Sequence, residues 1–201
     1  MSHLSFYLLL IILFFAVDSF SQKRWDGGGG DNRWNNGLNW NNNSLPATTD
    51  NVVLDNTFVT GTYSVVLPPS VVTVKSITIS PSAGKTIDLV LPPQNTVTPG
   101  LIVKGPGYGM VINSGGIFRN SSGASSGNAA SIADSIKVAN NGTYIHNTAS
   151  GHASNVQVLS TAPGTEQGTF EINVPAASST ISLSGRTFGS VRLNAVAAGG
   201  S

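Results

Sequence analysis

The chain has 201 residues, only 9% of them charged, and a formal net charge of +1. That balance gives no electrostatic footprint for nucleic acid or for an anionic membrane surface. The absence of cysteine excludes disulfides, thiolate nucleophiles and cysteine-bound metal.

Residues 6–17 (FYLLLIILFFAV) are an unbroken apolar run of twelve, followed by Asp18 and then Ser19-Phe20-Ser21. An apolar stretch closed by a small-x-small site is the layout of a secretory signal peptide. The run is shorter than the ~18 residues a membrane span needs. Residues 1–21 are therefore assigned as a signal-peptide helix, and the protein is expected outside the cytoplasm, secreted and attached to the cell surface, with no membrane contact after cleavage. Mass spectrometry of the exported protein should find Gln22, or its pyroglutamate, at the amino terminus. Recovery of intact Met1 would refute that assignment. Removing residues 1–21 leaves 180, enough for one domain, with ten basic and eight acidic residues.

Residues 22–50 are rich in Trp, Asn and Gly, and all three tryptophans (Trp25, Trp34 and Trp40) fall within sixteen positions. Indole faces could stack on sugar rings. They could instead close the open end of a solenoid, because tryptophan covers a large apolar area and keeps an N–H at its edge. Their crowding ahead of the first strand signal favours an N-terminal cap. Asp26-Gly-Gly-Gly-Gly30-Asp31-Asn32 offers carboxylates and bare backbone to a hard cation. Its spacing fits neither an EF-hand nor the glycine-rich nonapeptide repeat, so it reads as a flexible turn.

From residue 51 onward the chain alternates short apolar runs with polar turns. Ile87, Leu89 and Leu91 alternate with Asp88 and Val90; Phe170, Ile172 and Val174 with Glu171 and Asn173; Ile181 and Leu183 with Ser182; Val191 and Leu193 with Arg192. Such period-two runs are strands with one face inward. In residues 71–79 the phase slips: Val72 and Val74 share one parity, Ile77 and Ile79 the other. A pleated strand cannot slip by one without exposing its core set, so a corner is expected near Lys75-Ser76. The slip, the short strands and the weak hairpin signals favour a parallel solenoid over an antiparallel sandwich. At ~20–25 residues per coil and ~4.8 Å per rung, the mature chain gives about seven or eight turns and roughly 35 Å of rod. Helical periodicity is absent after residue 21; a single helical turn is expected at most near Ala129–Asp134. Gly105-Pro-Gly-Tyr-Gly109 reads as a turn, since it lacks phosphate-cradle spacing.

Candidate chemistry is sparse. His146 and His152 lack a third metal ligand and read as outward-facing loop residues. No nucleophile elbow is present. The mature acids (Asp26, Asp31, Asp50, Asp55, Asp88, Asp134, Glu166 and Glu171) are scattered, whereas glycoside cleavage needs two carboxyls flanking one bond. Asp88 and Asp134 are the pair that stacked coils could unite. No catalytic residue, metal ligand or cofactor is assigned. Asp134-Ser135-Ile136 resembles an acidic-hydroxyl-apolar signal for bacterial O-glycosylation.

The order Trp25-x-Gly-Gly-Gly, Trp34, Asn39-Trp40, Pro46 and Asp50-x-Val-x-Leu54 resembles the opening of large secreted β-helix surface proteins of Gram-negative bacteria, type IX-exported or autotransporter-passenger-like. Later segments agree, among them Asn113-Ser-Gly-Gly-Ile117, Asn141-Gly-Thr-Tyr-Ile-His146 and Gly185-Arg-Thr-Phe-Gly189. The resemblance implies an all-β, right-handed parallel β-helix: residues 22–50 as a Trp/Asn-rich cap and 51–201 as coils. Such proteins usually continue for hundreds of residues. The chain stops at AVAAGGS directly after a strand signal, so it is read as the N-terminal part of something longer. The implied function is a monomeric adhesin-like stalk without catalysis in this segment, contacting extracellular glycans or other surface proteins. A polysaccharide lyase, a glycoside hydrolase or a carbohydrate-binding module is the alternative.

Overall fold

The structure is a computed structural model that describes residues 22–174, 181–183 and 185–195. The assigned signal peptide and residues 196–201 of the terminal AVAAGGS lie outside the described residues.

The fold is a parallel β-solenoid with three walls. Strands β1 (Gln22–Arg24), β2 (Asn51–Asp55), β5 (Ser76–Ser80), β8 (Tyr108–Ile112) and β11 (Ser135–Val138) stack in that order as a five-stranded sheet. A second sheet of six runs β3 (Tyr63–Val66), β6 (Ile87–Leu91), β9 (Gly116–Asn120), β12 (Thr143–His146), β13 (Thr169–Val174) and β14 (Ser190–Ala195). The third wall holds β4 (Val72–Val74), β7 (Leu101–Val103) and β10 (Ala130–Ile132). Every ladder between these strands is parallel, which excludes the sandwich. Some coils keep the expected length, as where Tyr63 pairs with Ile87, 24 positions on, and others are longer. Asn51 pairs with Ser76, 25 positions on; Ile77 with Met110, 33 on; Met110 with Ile136, 26 on. The extra residues sit in corner loops such as 92–100 and 121–129. Among the described residues the longest wall has six strands, against the seven or eight rungs expected of the whole mature chain.

The predicted corner is present. Val72 and Val74 point inward from β4, Lys75 turns, and Ile77 and Ile79 point inward from β5 in a different wall. The turn at Gly105–Gly109 repeats this corner one coil later, with the Gly105 amide donating to the Lys75 carbonyl at 2.7 Å. A Cβ on Gly105 would lie 2.6 Å from that oxygen, so the close stacking of corners requires glycine here.

Inside, like positions stack. Val52, Ile77, Met110 and Ile136 form one buried column, and Val65, Leu89, Phe118, Tyr144 and Phe170 another. Each such aliphatic burial contributes roughly 1.5–3 kcal/mol. The aromatic part is ordered by ring quadrupoles: Phe118 meets Tyr144 edge-on at 5.4 Å, and Tyr144 stacks on Phe170 at 4.5 Å.

Residues 22–50 make a leading turn. β1 pairs with β2, Arg33 bridges to Val66 of the six-stranded wall, and the chain returns so that Trp40 bridges antiparallel to Trp25. Lys23 heads the Val52–Ile77 column. It is buried, and its Nζ donates to the Asn41 carbonyl and to Ser44 Oγ, both at 2.7 Å.

Three local expectations are corrected. The helical turn expected near Ala129–Asp134 is β10 followed by β11, because Ala130, Ile132 and Ile136 face inward. The one described α-helix, α1 (Ala153–Gln157), packs against β10 where that wall has no further strand. Residues 181–183 carry no strand. Among the described residues, no helix is long and apolar enough to cross a membrane.

Candidate functional site

The tryptophans are interior. Trp25, Trp34 and Trp40 are 2%, 3% and 0% exposed. Trp40 meets Trp25 and Trp34 edge-on at 5.1 and 4.7 Å and donates its indole N–H to the Trp34 carbonyl at 2.7 Å. No indole face is left for a sugar ring, and the cluster is part of the hydrophobic core at the leading turn.

The glycine loop beside it is a turn, as expected, with the Gly30 amide donating to the Gly27 carbonyl at 3.0 Å. Asp31 accepts from the Arg33 amide at 3.1 Å and from Asn39 Nδ2 at 2.6 Å, and Asn39 Oδ1 accepts from the Gly29 amide at 2.9 Å. A Cβ on Gly29 would sit 2.4 Å from Asn36 Nδ2. The Arg33 amide, then Asn39, hold the Asp31 carboxyl below its ordinary range. The loop is thus a surface turn whose carboxylate is already engaged by N–H donors.

The other acids are engaged in similar ways. Asp26 and Asp50 accept from the amides of Gly28 and Ala47. Asp55 pairs with Arg24, Asp88 with Arg119 at 2.9 Å and Glu171 with Arg192 at 3.0 Å. Burial pushes the Asp88 carboxyl up against the pull of Arg119. Asp88 lies on the six-stranded wall and Asp134 beside the five-stranded one, so stacking does not unite them. Among the described residues, no group of three or more His, Asp or Glu side chains is placed to hold a metal ion.

His152 is the loop residue expected, though half-buried and with its Nε2 accepting from the Ser182 amide at 3.0 Å; His146 is not one. His146 is the last residue of β12, in register with Asn120 and Ile172, and only 3% exposed. Its Nε2 donates to the Ser150 carbonyl at 2.9 Å, which places the proton on that nitrogen; Nδ1 is buried without a partner. The rings of His146 and His152 meet edge-on at 5.4 Å. Burial, chiefly, pushes the His146 imidazole down to about 4. The alternation Thr143-Tyr144-Ile145-His146 carried this signal, since Tyr144 inward requires His146 inward.

Sequence reasoning missed a groove where the five-stranded wall ends. Among the described residues no further strand pairs beyond β11, and the edge is closed by other groups. The Ile136 amide donates to the Val158 carbonyl at 3.0 Å, and the Val138 amide to Glu166 Oε2 at 2.7 Å. Glu166 Oε1 accepts from the Ser160 amide at 3.4 Å. The Glu166 carboxylate therefore stands in for the carbonyls of a missing strand. Burial pushes its carboxyl up, opposed by the Val138 and Ser160 amides.

Over this edge opens a groove of about 450 Å³, lined among others by Tyr108, Asp134, Ser135, Gln157, Glu166 and Arg186. Tyr108 is 52% exposed, and Lys137 Nζ stands 5.5 Å from its ring centroid. Asp134, at φ 62°, accepts from the Gly107 amide, and Ser135 Oγ donates to the Gly107 carbonyl at 2.8 Å. The O-glycosylation-like triplet thus forms part of the groove. Arg186 Nε is buried and has no hydrogen-bond partner. Comparison with protein families, curated proteins and solved structures finds no match for the chain.

Proposed function

We propose that the chain is a stalk segment of an adhesin-like protein, secreted and held at a bacterial surface, monomeric and without catalysis of its own. It would contact extracellular glycans or neighbouring surface proteins. The observation that carries this reading is the state of the carboxylates: each of the eight outside residues 1–21 accepts from a backbone amide or a basic side chain. Sugar cleavage needs one carboxyl that releases a proton and a second that attacks or activates water. Asp134 and Glu166 share the groove, but both Glu166 oxygens are taken up by the backbone N–H groups that close the sheet edge, and these bonds oppose the burial that pushes its carboxyl up. The leader at 1–21 supports export, and the stacked walls support a rod whose role is to span distance.

The purified chain should release no new reducing ends and no unsaturated uronate from plant or algal polysaccharides, with or without calcium. Turnover abolished by Glu166→Gln or Asp134→Asn would overturn the reading in favour of an enzyme.

A further inference from the structure

We propose that the groove beyond β11 binds a neutral oligosaccharide lying along the rod. This inference rests on the adhesin-like reading and supplies its ligand class.

The lining residues come from successive coils. The Ser135 amide donates to the Gly107 carbonyl, Ile136 to Val158, and Thr187 to Ser160. Residues 107–108, 134–136, 157–161 and 186 therefore stand on adjacent rungs. Three rung spacings of ~4.8 Å give a groove floor of roughly 14 Å, a shape for an extended chain more than for a single ring. The volume of about 450 Å³ falls within the ~300–1,000 Å³ of ordinary ligand sites.

The chemistry of the lining matches a sugar. Tyr108 offers an exposed ring at one end, and pyranose rings carry an apolar C–H face that stacks on such rings. Lys137 stands over that ring but is not part of the groove lining. Ser135, Gln157 and Thr161 present both donors and acceptors, as hydroxyl groups require. At the other end Arg186 lines the groove, and its guanidinium is a donor suited to a sugar oxygen.

Charge selects the class. Two carboxylates, Asp134 and Glu166, are balanced by Arg186 and by Lys137, which stands over Tyr108 and acts on Glu166. The groove therefore carries no excess of positive charge to attract an acidic polysaccharide, whereas a neutral one needs none.

Calorimetric titration of the full mature chain with cellohexaose, xylohexaose and mannohexaose, and with oligogalacturonate as the acidic arm, tests the inference. At least one neutral hexaose should bind, with oligogalacturonate weaker. Tyr108→Ala and Arg186→Gln should each weaken binding tenfold or more at an unchanged melting temperature. Tyr108→Phe, which keeps the ring, and Phe58→Ala, an exposed aromatic elsewhere, should leave it intact. Preference for oligogalacturonate would overturn the neutral class. Binding that survives Tyr108→Ala, or no binding at millimolar concentration, would overturn the groove while leaving the stalk standing. Conversion of the bound hexaose into new reducing ends would instead overturn the non-catalytic reading.

Discussion

Replacing Trp40 with alanine is expected to lower the unfolding free energy by about 3–5 kcal/mol, the range for a large aromatic removed from a packed core. Trp40 is fully buried, wedged edge-on between Trp25 and Trp34, and its indole N–H holds the Trp34 carbonyl. Truncation leaves a cavity at the head of the inner columns and an orphaned buried carbonyl, so neither term can relax without opening the leading turn. Trp40→Phe should cost less, since it keeps much of the ring area and loses the hydrogen bond, itself worth about 1 kcal/mol. Urea denaturation followed by far-ultraviolet circular dichroism measures both. An unchanged midpoint for Trp40→Ala would mean that the leading turn does not hold the solenoid together.

Acidification from pH 7 to pH 4 is expected to remove about 3 kcal/mol of stability through His146. The imidazole titrates near 6.5 in the unfolded chain and at about 4 in the fold. Between those values the unfolded chain carries a proton that the folded chain refuses, so stability rises with pH across the window and is lost as pH falls. The charged ring would need an acceptor at Nδ1, where the structure supplies none. His152 is also pushed down by burial and acts in the same direction. Glu166 and Asp88, both pushed up by burial, act oppositely and soften the acid end of the curve. The comparison to make is therefore between the native chain and His146→Asn, with urea midpoints taken from pH 4 to pH 8. The variant should show a shallower slope between pH 4 and 6.5. Parallel curves would exonerate the histidine.

Parts of the walls were legible because strands such as β6 and β13 carry their own alternation; β10, expected as a helical turn, was not. The corner at Lys75 was legible because a parity slip is impossible within one strand. Coil length was less legible, since loops such as 92–100 obey no period. The interior polar residues were not legible from local pattern. Asn95, buried at 0% exposure, is held by the carbonyls of Pro68 and Ser70 one coil earlier, and its own carbonyl accepts from Ser122 one coil later. Partners so far apart in sequence become visible only once the register is known. The groove has the same property: Tyr108, Asp134, Glu166 and Arg186 meet because the chain winds, not because any window groups them. For His146 the local signal existed. It was outweighed by the general tendency of histidine to sit at surfaces, although its strand parity placed it inside.

A stack of parallel coils is an open-ended lattice, and nothing in its geometry limits growth. Any rod whose last rung matched its first could add a further rod end to end and become a fibre. Lys23 works against this at one end. It occupies the inward position that the next rung would need to continue the Val52 and Ile77 column, and its ammonium is tied to Asn41 and Ser44. A second rod docking on β1 would have to displace that loop and enclose the charge between apolar layers, at a cost of several kcal/mol. An inward-pointing lysine on a terminal strand is a recognised guard against such edge pairing. Among the described residues Lys23 is thus the first of the column, and end-to-end growth through this face would have to bury its charge.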